Sequence, residues 1–211
     1  MVSDNLHEMS TKQKILTCAV DLFAEKGYTE TTVRELAEAA GLRGGSIYNH
    51  FPSKSAILEY ILEDYSLINT DIFADRDIWG ILRENPNSDG VLTCLQLYFP
   101  PGRQEYYIKV LCVLLQEQLR NPIVRAYMGN EYILRAESNT NVIVNALKEL
   151  KVIRGDADPD YWMKIVSSLF YTFASRMMLG IGDSEPGFAG RGMIDMLRQT
   201  FDYLIEINKF T

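Results

Sequence analysis

The chain is predicted to be all-α, with an N-terminal three-helix domain carrying a helix-turn-helix and a larger helical bundle behind it. Two capping boxes, Ser10-Thr-Lys-Gln13 and Thr32-Val-Arg-Glu35, each precede apolar residues at helical spacing. Long segments of the same period continue to the C-terminus, separated by Gly- and Pro-rich turns. With 211 residues, 47% hydrophobic and 23% charged, the chain can bury a sizeable core.

The elements follow in order. Ser10 caps a first helix whose stripe is Ile15, Ala19, Leu22 and Phe23, and Gly27 stops it. Thr32 caps a second helix with Val33, Leu36, Ala37 and Ala40 on one face, and Gly41 supplies the left-handed residue that ends it. Leu42 and Ile47 then pin a short third helix, from about Gly44 to Phe51. Such a pair, crossing steeply around a Gly-containing turn, leaves the outer face of its second helix free for the major groove of a duplex. Ser53 caps a fourth helix, with Ile57, Leu58, Ile61, Leu62 and Tyr65 as its stripe. From Thr70 to Asp89 the period is lost, and Phe99-Pro-Pro-Gly102 breaks the next helix. Arg103 to Arg120 and Pro122 to Leu150 read as two long helices. Asp158 and Pro159 then start a helix carrying Trp162, Ile165, Leu169, Phe170, Phe173 and Met177, and a last one carries Met193, Leu197, Phe201 and Leu204. The domain boundary is expected near residue 55, giving 1–55 and 56–211.

The run from Lys14 to Leu62 contains Ala19-Val-Asp-Leu-Phe23, Gly27-Tyr28-Thr29, Thr31-Thr32-Val33-Arg34, Ala40-Gly41-Leu42 and Ser46-Ile-Tyr-Asn-His-Phe51-Pro-Ser-Lys54. It resembles the N-terminal domain of tetracycline-repressor (TetR) type transcriptional regulators. The resemblance covers the first quarter to third of the chain. It implies a homodimeric, ligand-responsive regulator, commonly a repressor, that binds a double-stranded DNA operator.

Carried over by position, Thr32 and Arg34 lie at the start of the second helix, where an Arg commonly reaches a base. Ser46 and Asn49 match positions that touch phosphate or a base edge, and Tyr48, His50 and Lys54 match positions that clamp the backbone. Gly44 and Gly45 stand where many relatives place a side chain aimed at bases, so Arg43 is the nearest substitute. Sequence discrimination then leans on Arg34, Arg43 and DNA shape.

An effector site would use apolar and aromatic groups with a few polar ones fixing orientation. Tyr98, Tyr106, Tyr107, Tyr127, Tyr132, Trp162 and Phe170, with Gln116 and Arg135, supply that chemistry, for a flat and mostly apolar molecule. The last two helices carry more apolar surface than a small monomer readily covers. Ile165, Leu169, Phe173, Met177, Met193, Leu197, Phe201 and Leu204 are therefore the expected dimer contacts.

Other classes fit poorly. The net charge of −7 argues against a nucleic-acid binder in bulk. Residues 1–55 nevertheless hold six Lys or Arg against seven Asp or Glu, while 56–211 hold 15 against 21, so the excess acid lies mostly beyond the reading unit. The two histidines are His7, in the leader, and His50, so the larger domain has none for acid–base or metal chemistry. Asp156, Asp158 and Asp160 cluster where a helix starts, and capping explains them. The Gly44-Gly45 pair lacks the strand and Gly-Lys-Ser/Thr of a nucleotide loop. No enzyme, cofactor or metal is expected. Cys18, Cys94 and Cys112 are expected to be reduced and buried in a cytoplasmic protein, with no apolar run long enough to span a bilayer. The main rival is a helical ligand- or protein-binding module whose DNA recognition has degenerated, favoured by the acidic charge and the Gly44-Gly45 gap.

Overall fold

A computed structural model describes residues 9–69, 77–97, 103–178 and 191–210. These contain α1 (Thr11–Lys26), α2 (Val33–Ala39), a 3-10 helix (Gly44–Asn49), α3 (Lys54–Asn69), α4 (Ile78–Glu84), α5 (Ser88–Gln96), α6 (Gln104–Glu117), α7 (Pro122–Tyr127), a π turn (Met128–Tyr132), α8 (Ile133–Glu149), α9 (Pro159–Met178) and α10 (Arg191–Ile207). Among the described residues there is no strand, and an isolated antiparallel bridge joins Ile153 to Lys209. The all-α prediction holds.

The chain divides into two compact units, and the division differs from the boundary expected at residue 55. The first unit is the described part of Met1–Tyr65 together with Tyr106–Met128, and the second takes Ser66–Glu105 with the rest. Covalent order suggested a cut after the reading helices, but tertiary packing puts most of α3, α6 and α7 with them. Ile57, Leu58 and Ile61 on α3 and Val110, Leu114 and Val124 on α6 and α7 are almost fully buried. Lys109 of α6 pairs with Asp21 of α1 at 2.8 Å, and Gln116 donates to the Ala24 carbonyl at 3.3 Å. Such contacts join residues far apart in sequence, so no local pattern announces them.

In the second unit α8 packs on α9, α5 on α10, and α4 on both α5 and α8. Their shared core is Ile78, Leu82, Val91, Val144, Leu147, Trp162, Leu197, Phe201 and Leu204 among others. α4 falls inside the stretch where the sequence period is lost. It starts with Asp77, whose carboxylate accepts from the Gly80 amide at 2.6 Å, and its seven residues are too few to show a period. The single helix predicted from Pro122 to Leu150 runs without a gap through α7 and α8, with a π segment at Met128–Tyr132 between them. Beside that segment Arg135 donates to the Ser66 carbonyl at 2.5 Å and pairs with Glu131 at 3.1 Å.

α8 ends in a Schellman turn: the Val152 amide reaches the Leu147 carbonyl and the Lys151 amide the Lys148 carbonyl, both at 2.9 Å. Lys151 occupies the left-handed position at φ 57°, where a Cβ is disfavoured. Lys151→Gly is expected to stabilise the chain by about 0.5–1 kcal/mol, read as a raised Tm. No change or a lower Tm would mean that the lysine side chain makes a compensating contact.

Candidate nucleic-acid interface

The reading surface is built outward from α1. The Ser10 capping box forms as predicted, with the Gln13 amide donating to the Ser10 hydroxyl at 3.3 Å. Ile15, Ala19 and Phe23 are fully buried, so α1 is the floor of the unit. Gly27 ends it at φ 89°, ψ 156°, a conformation open essentially to glycine. Gly27→Ala is expected to cost about 1–3 kcal/mol in chemical denaturation.

The turn from Gly27 to Thr31 is then tied from three sides. The buried Thr31 hydroxyl donates to the Gly27 carbonyl at 2.8 Å. The Lys54 ammonium donates to the carbonyls of Tyr28, Thr29 and Thr31 at 2.7, 3.2 and 2.8 Å. It also lies 4.4 Å from the centre of the Tyr28 ring, and that ring packs edge-on against Phe23. Burial lowers the Lys54 pKa below the usual 10.5, while Glu117 and Glu30 pull the other way.

Beyond this turn the Thr32 capping box closes: the Thr32 hydroxyl accepts from the Glu35 amide at 3.2 Å and the Thr32 amide donates to the Glu35 carboxylate at 2.8 Å. Lys26 bonds the other carboxylate oxygen of Glu35. Lys26 first, then the Thr32 amide and hydroxyl, pull the Glu35 carboxyl from 4.5 down to about 2. A depressed carboxyl adds stability above its unfolded pKa and loses it as pH falls towards the folded one. The Tm advantage of the wild type over Glu35→Gln is therefore expected to be full at neutral pH and to vanish between about pH 4.5 and 2. A pH-independent difference would contradict this pairing.

α2 ends in its own Schellman turn at Gly41, φ 70°, with the Leu42 amide on the Ala37 carbonyl at 2.8 Å. The third element is shorter and tighter than the helix predicted from Gly44 to Phe51. It is a 3-10 helix of six residues, Gly44–Asn49, opened by two glycines that favour no regular helix. Ile47, fully buried, pins it as expected.

The structure separates the DNA candidates into two kinds. Arg34, Arg43, Gly45, Tyr48, Asn49 and His50 are exposed, Tyr48 by 56%. Arg34 is held along α2 by Glu38 at 2.9 Å. Thr32 is exposed as well, but its polar atoms, like those of Ser46 and Lys54, are spent on partners within the chain. The Ser46 hydroxyl donates to the Arg43 carbonyl at 2.7 Å, Thr32 serves its cap, and Lys54 serves the turn. At position 54, where the sequence suggested a backbone clamp, three carbonyls of the turn converge on the ammonium. Sequence reasoning missed Lys12, which lies over the Tyr60 ring at 3.6 Å and near Phe51 at 5.4 Å. Its signal, a lysine in a first helical turn, is too common to single out.

The effector candidates fall in both units. Tyr106, Tyr107 and Tyr127 belong to the first, where Tyr65 and Tyr107 approach to 5.8 Å and Tyr106 and Tyr107 to 5.1 Å between ring centres. Gln116 is committed to Ala24 and Arg135 to Ser66 and Glu131. Tyr132 keeps part of its surface exposed, although burial pushes its phenol up to about 12. Phe170 packs on the second core, and Trp162 is inside it against Phe201, with its indole N–H buried and unpartnered. Tyr98 lies outside the described residues.

The dimer expectation needs correction for the residues of α10. Met193, Leu197, Phe201 and Leu204 are at most 3% exposed and belong to the chain's own core. Ile165, Leu169 and Phe173 are half-buried against that core, and the Met177 side chain lies outside what is described. The apolar stripe of α10 is consumed by α5 and α9 within the protomer. Among the described residues, the exposed large apolar side chains of these two helices are Tyr161 and Tyr171 on α9 and Tyr203 and Ile207 on α10.

Cys18, Cys94 and Cys112 are free and buried, and burial pushes the Cys94 thiol up to about 12. Among the described residues no helix is long and apolar enough to cross a membrane, and no group of three or more His, Cys, Asp or Glu could hold a metal ion.

Comparison with known proteins agrees with this geometry. Residues 15–61 match the model of the bacterial regulatory proteins, tetR family. Over 56 residues the chain is 41% identical to the HTH-type transcriptional repressor KstR2 of Mycolicibacterium smegmatis, covering 26% of this chain and 27% of that relative. The match thus spans about a quarter of that relative's length. The "Probable acrEF/envCD operon repressor" of Escherichia coli (strain K12) is 25% identical over 203 residues, 92% of this chain and 87% of the relative. Among solved structures, a transcriptional regulator from Saccharomonospora viridis in complex with choline superposes with TM-score 0.64 at 22% identity, covering 92% of this chain and 95% of that one. KstR2 of Mycobacterium tuberculosis superposes with TM-score 0.60 at 19% identity over 95% of each chain.

Proposed function

We propose that this chain, whose residues 15–61 match the model of the bacterial regulatory proteins, tetR family, is a member of that family and a cytoplasmic, homodimeric, ligand-responsive repressor. Its α2 and 3-10 helix enter the major groove of an operator duplex. Arg34 and Arg43 contact bases, and Tyr48, Asn49 and His50 contact base edges or backbone. The observation that carries this is the reading pair itself: a closed capping box, a Schellman turn at Gly41, a buried Ile47 and an exposed row of Arg and Tyr side chains on the outside. A folding scaffold alone has no need of that outer row.

Dimers form through the outer faces of α9 and α10, where Tyr171, Tyr203 and Ile207 are exposed. They place two reading helices about 34–36 Å apart, on successive major grooves. A small, mostly apolar effector binds the helical part and favours a dimer with a different spacing. The tyrosines around Tyr107 supply aromatic surface for it, and the choline complex of the Saccharomonospora viridis relative shows that a protein of this fold takes a small organic ligand.

Selection of duplexes from a random library by the full-length protein tests the proposal. A palindromic site should emerge, and its affinity should fall steeply with rising salt. Arg34→Ala and Tyr48→Ala should each weaken binding about tenfold or more without lowering Tm. Recovery of no enriched duplex at low salt would favour the module with degenerate recognition instead.

A further inference from the structure

We infer that Glu117 of α6 is a positioning residue for DNA reading, which holds the turn between α1 and α2 by accepting the Tyr28 amide and so sets where the reading pair begins. The inference rests on the DNA-binding proposal and adds to it a residue from outside the helix-turn-helix.

Glu117 is a costly residue where it stands. It is only 6% exposed, and a buried carboxylate loses its hydration. It closes α6, whose last turn presents carbonyls and the negative end of the helix dipole, so a carboxylate there is repelled rather than attracted. Its own carbonyl already accepts from the amides of Arg120 and Asn121 at 2.9 and 2.8 Å. An apolar residue of similar length would fill the same space without these penalties.

What the carboxylate does is specific. Its Oε1 accepts the Tyr28 amide at 3.2 Å, across 89 residues of sequence. It also lies 3.9 Å from where a Cβ on Gly27 would stand, so it faces the turn at the residue that ends α1. Tyr28, Thr29 and Thr31 are the residues whose carbonyls the Lys54 ammonium gathers, and Thr31 immediately precedes the cap of α2. The anion favours the charged form of that same Lys54. Glu117 and Lys54 therefore grip one turn, the first through an amide and the second through carbonyls. Nearby, Gln116 bonds Ala24 and Lys109 bonds Asp21, so α6 is fastened along α1 up to this turn. A shift of α6 would be felt first at the Tyr28 amide and then at the start of α2.

Three variants of the full-length protein test this. Glu117→Gln keeps an acceptor oxygen, Glu117→Ala removes it, and Glu117→Leu removes it while filling the space. At a temperature where all are folded, Gln should bind a duplex selected by the wild type within about threefold. Leu and Ala should bind it about tenfold more weakly, as expected for one lost amide bond to a charged acceptor. Leu should do so with a Tm no lower than wild type, and hydrogen exchange at the Tyr28 amide should quicken in Leu and Ala alone. A merely structural residue would lose stability and affinity together. The inference is overturned if Leu binds like the wild type, if Gln loses as much as Leu, or if Tyr28 exchange is unchanged. Should Leu not fold, the Gln and Ala pair carries the same comparison. A wild type that selects no duplex sinks the DNA-binding proposal and the reading role with it, while the Tyr28 exchange rates still decide whether Glu117 holds the turn.

Discussion

Lys54→Met is expected to destabilise the chain by about 2–4 kcal/mol and to weaken DNA binding at every salt concentration. Three carbonyls, of Tyr28, Thr29 and Thr31, lose their shared donor, and bonds from a charged group contribute about 1.5–3 kcal/mol each in favourable settings. The contributions do not add fully, because the ammonium is only half-buried and water replaces part of what is lost. The turn they hold leads directly into the Thr32 cap, so its loosening misplaces α2 as a whole. A lysine serving only as a phosphate contact behaves otherwise. Its removal would leave Tm alone and lower the salt slope by about one unit in each half-site. Thermal denaturation together with the slope of log affinity against log salt separates the two. An unchanged Tm with a reduced slope would restore the backbone-clamp role and refute the structural one.

Phe201→Ala should cost about 3–5 kcal/mol, a large share of the stability of an ordinary domain. Its ring is 2% exposed, stands 6.3 Å from that of Trp162, and joins the core shared by α4, α5, α8, α9 and α10. The loss would combine transfer of the ring with the cavity left behind. Two residues on, Tyr203 is 59% exposed, and Tyr203→Ala should change monomer stability by no more than about 0.5 kcal/mol. Ile207→Asp, on the same outer side, should convert the proposed dimer to monomer in sedimentation while the helical signal stays. If Phe201→Ala proves mild and instead dissociates the protein, the stripe of α10 faces a partner after all, and the core described here is wrong.

The contrast between Phe201 and Tyr203 shows where sequence reasoning stopped. The period of α10 correctly announced an amphipathic helix, and its apolar stripe at Met193, Leu197, Phe201 and Leu204 was correctly located. Periodicity identifies the face that must be buried, and it carries no information on whether the cover comes from the same chain or another. Likewise the capping atoms of Ser10 and Thr32, the left-handed Gly41 and the buried Ile47 were all legible, because each is decided by neighbours within a few residues. The roles of Lys54 and Glu117 were not, since their partners lie 23 to 89 residues away.

By itself, then, the sequence determined what is local: a helical chain, the start and stop of the reading pair, and the side chains Arg34, Arg43 and Tyr48 that its turns leave exposed. Tertiary structure alone decided that α6 and α7 join the reading unit, that the α10 stripe is spent within the protomer, and that Lys54 ties a turn. The physical reason is range. Caps and turns are settled by hydrogen bonds between near neighbours, whereas burial and the partners of long charged side chains depend on which distant segments arrive beside them.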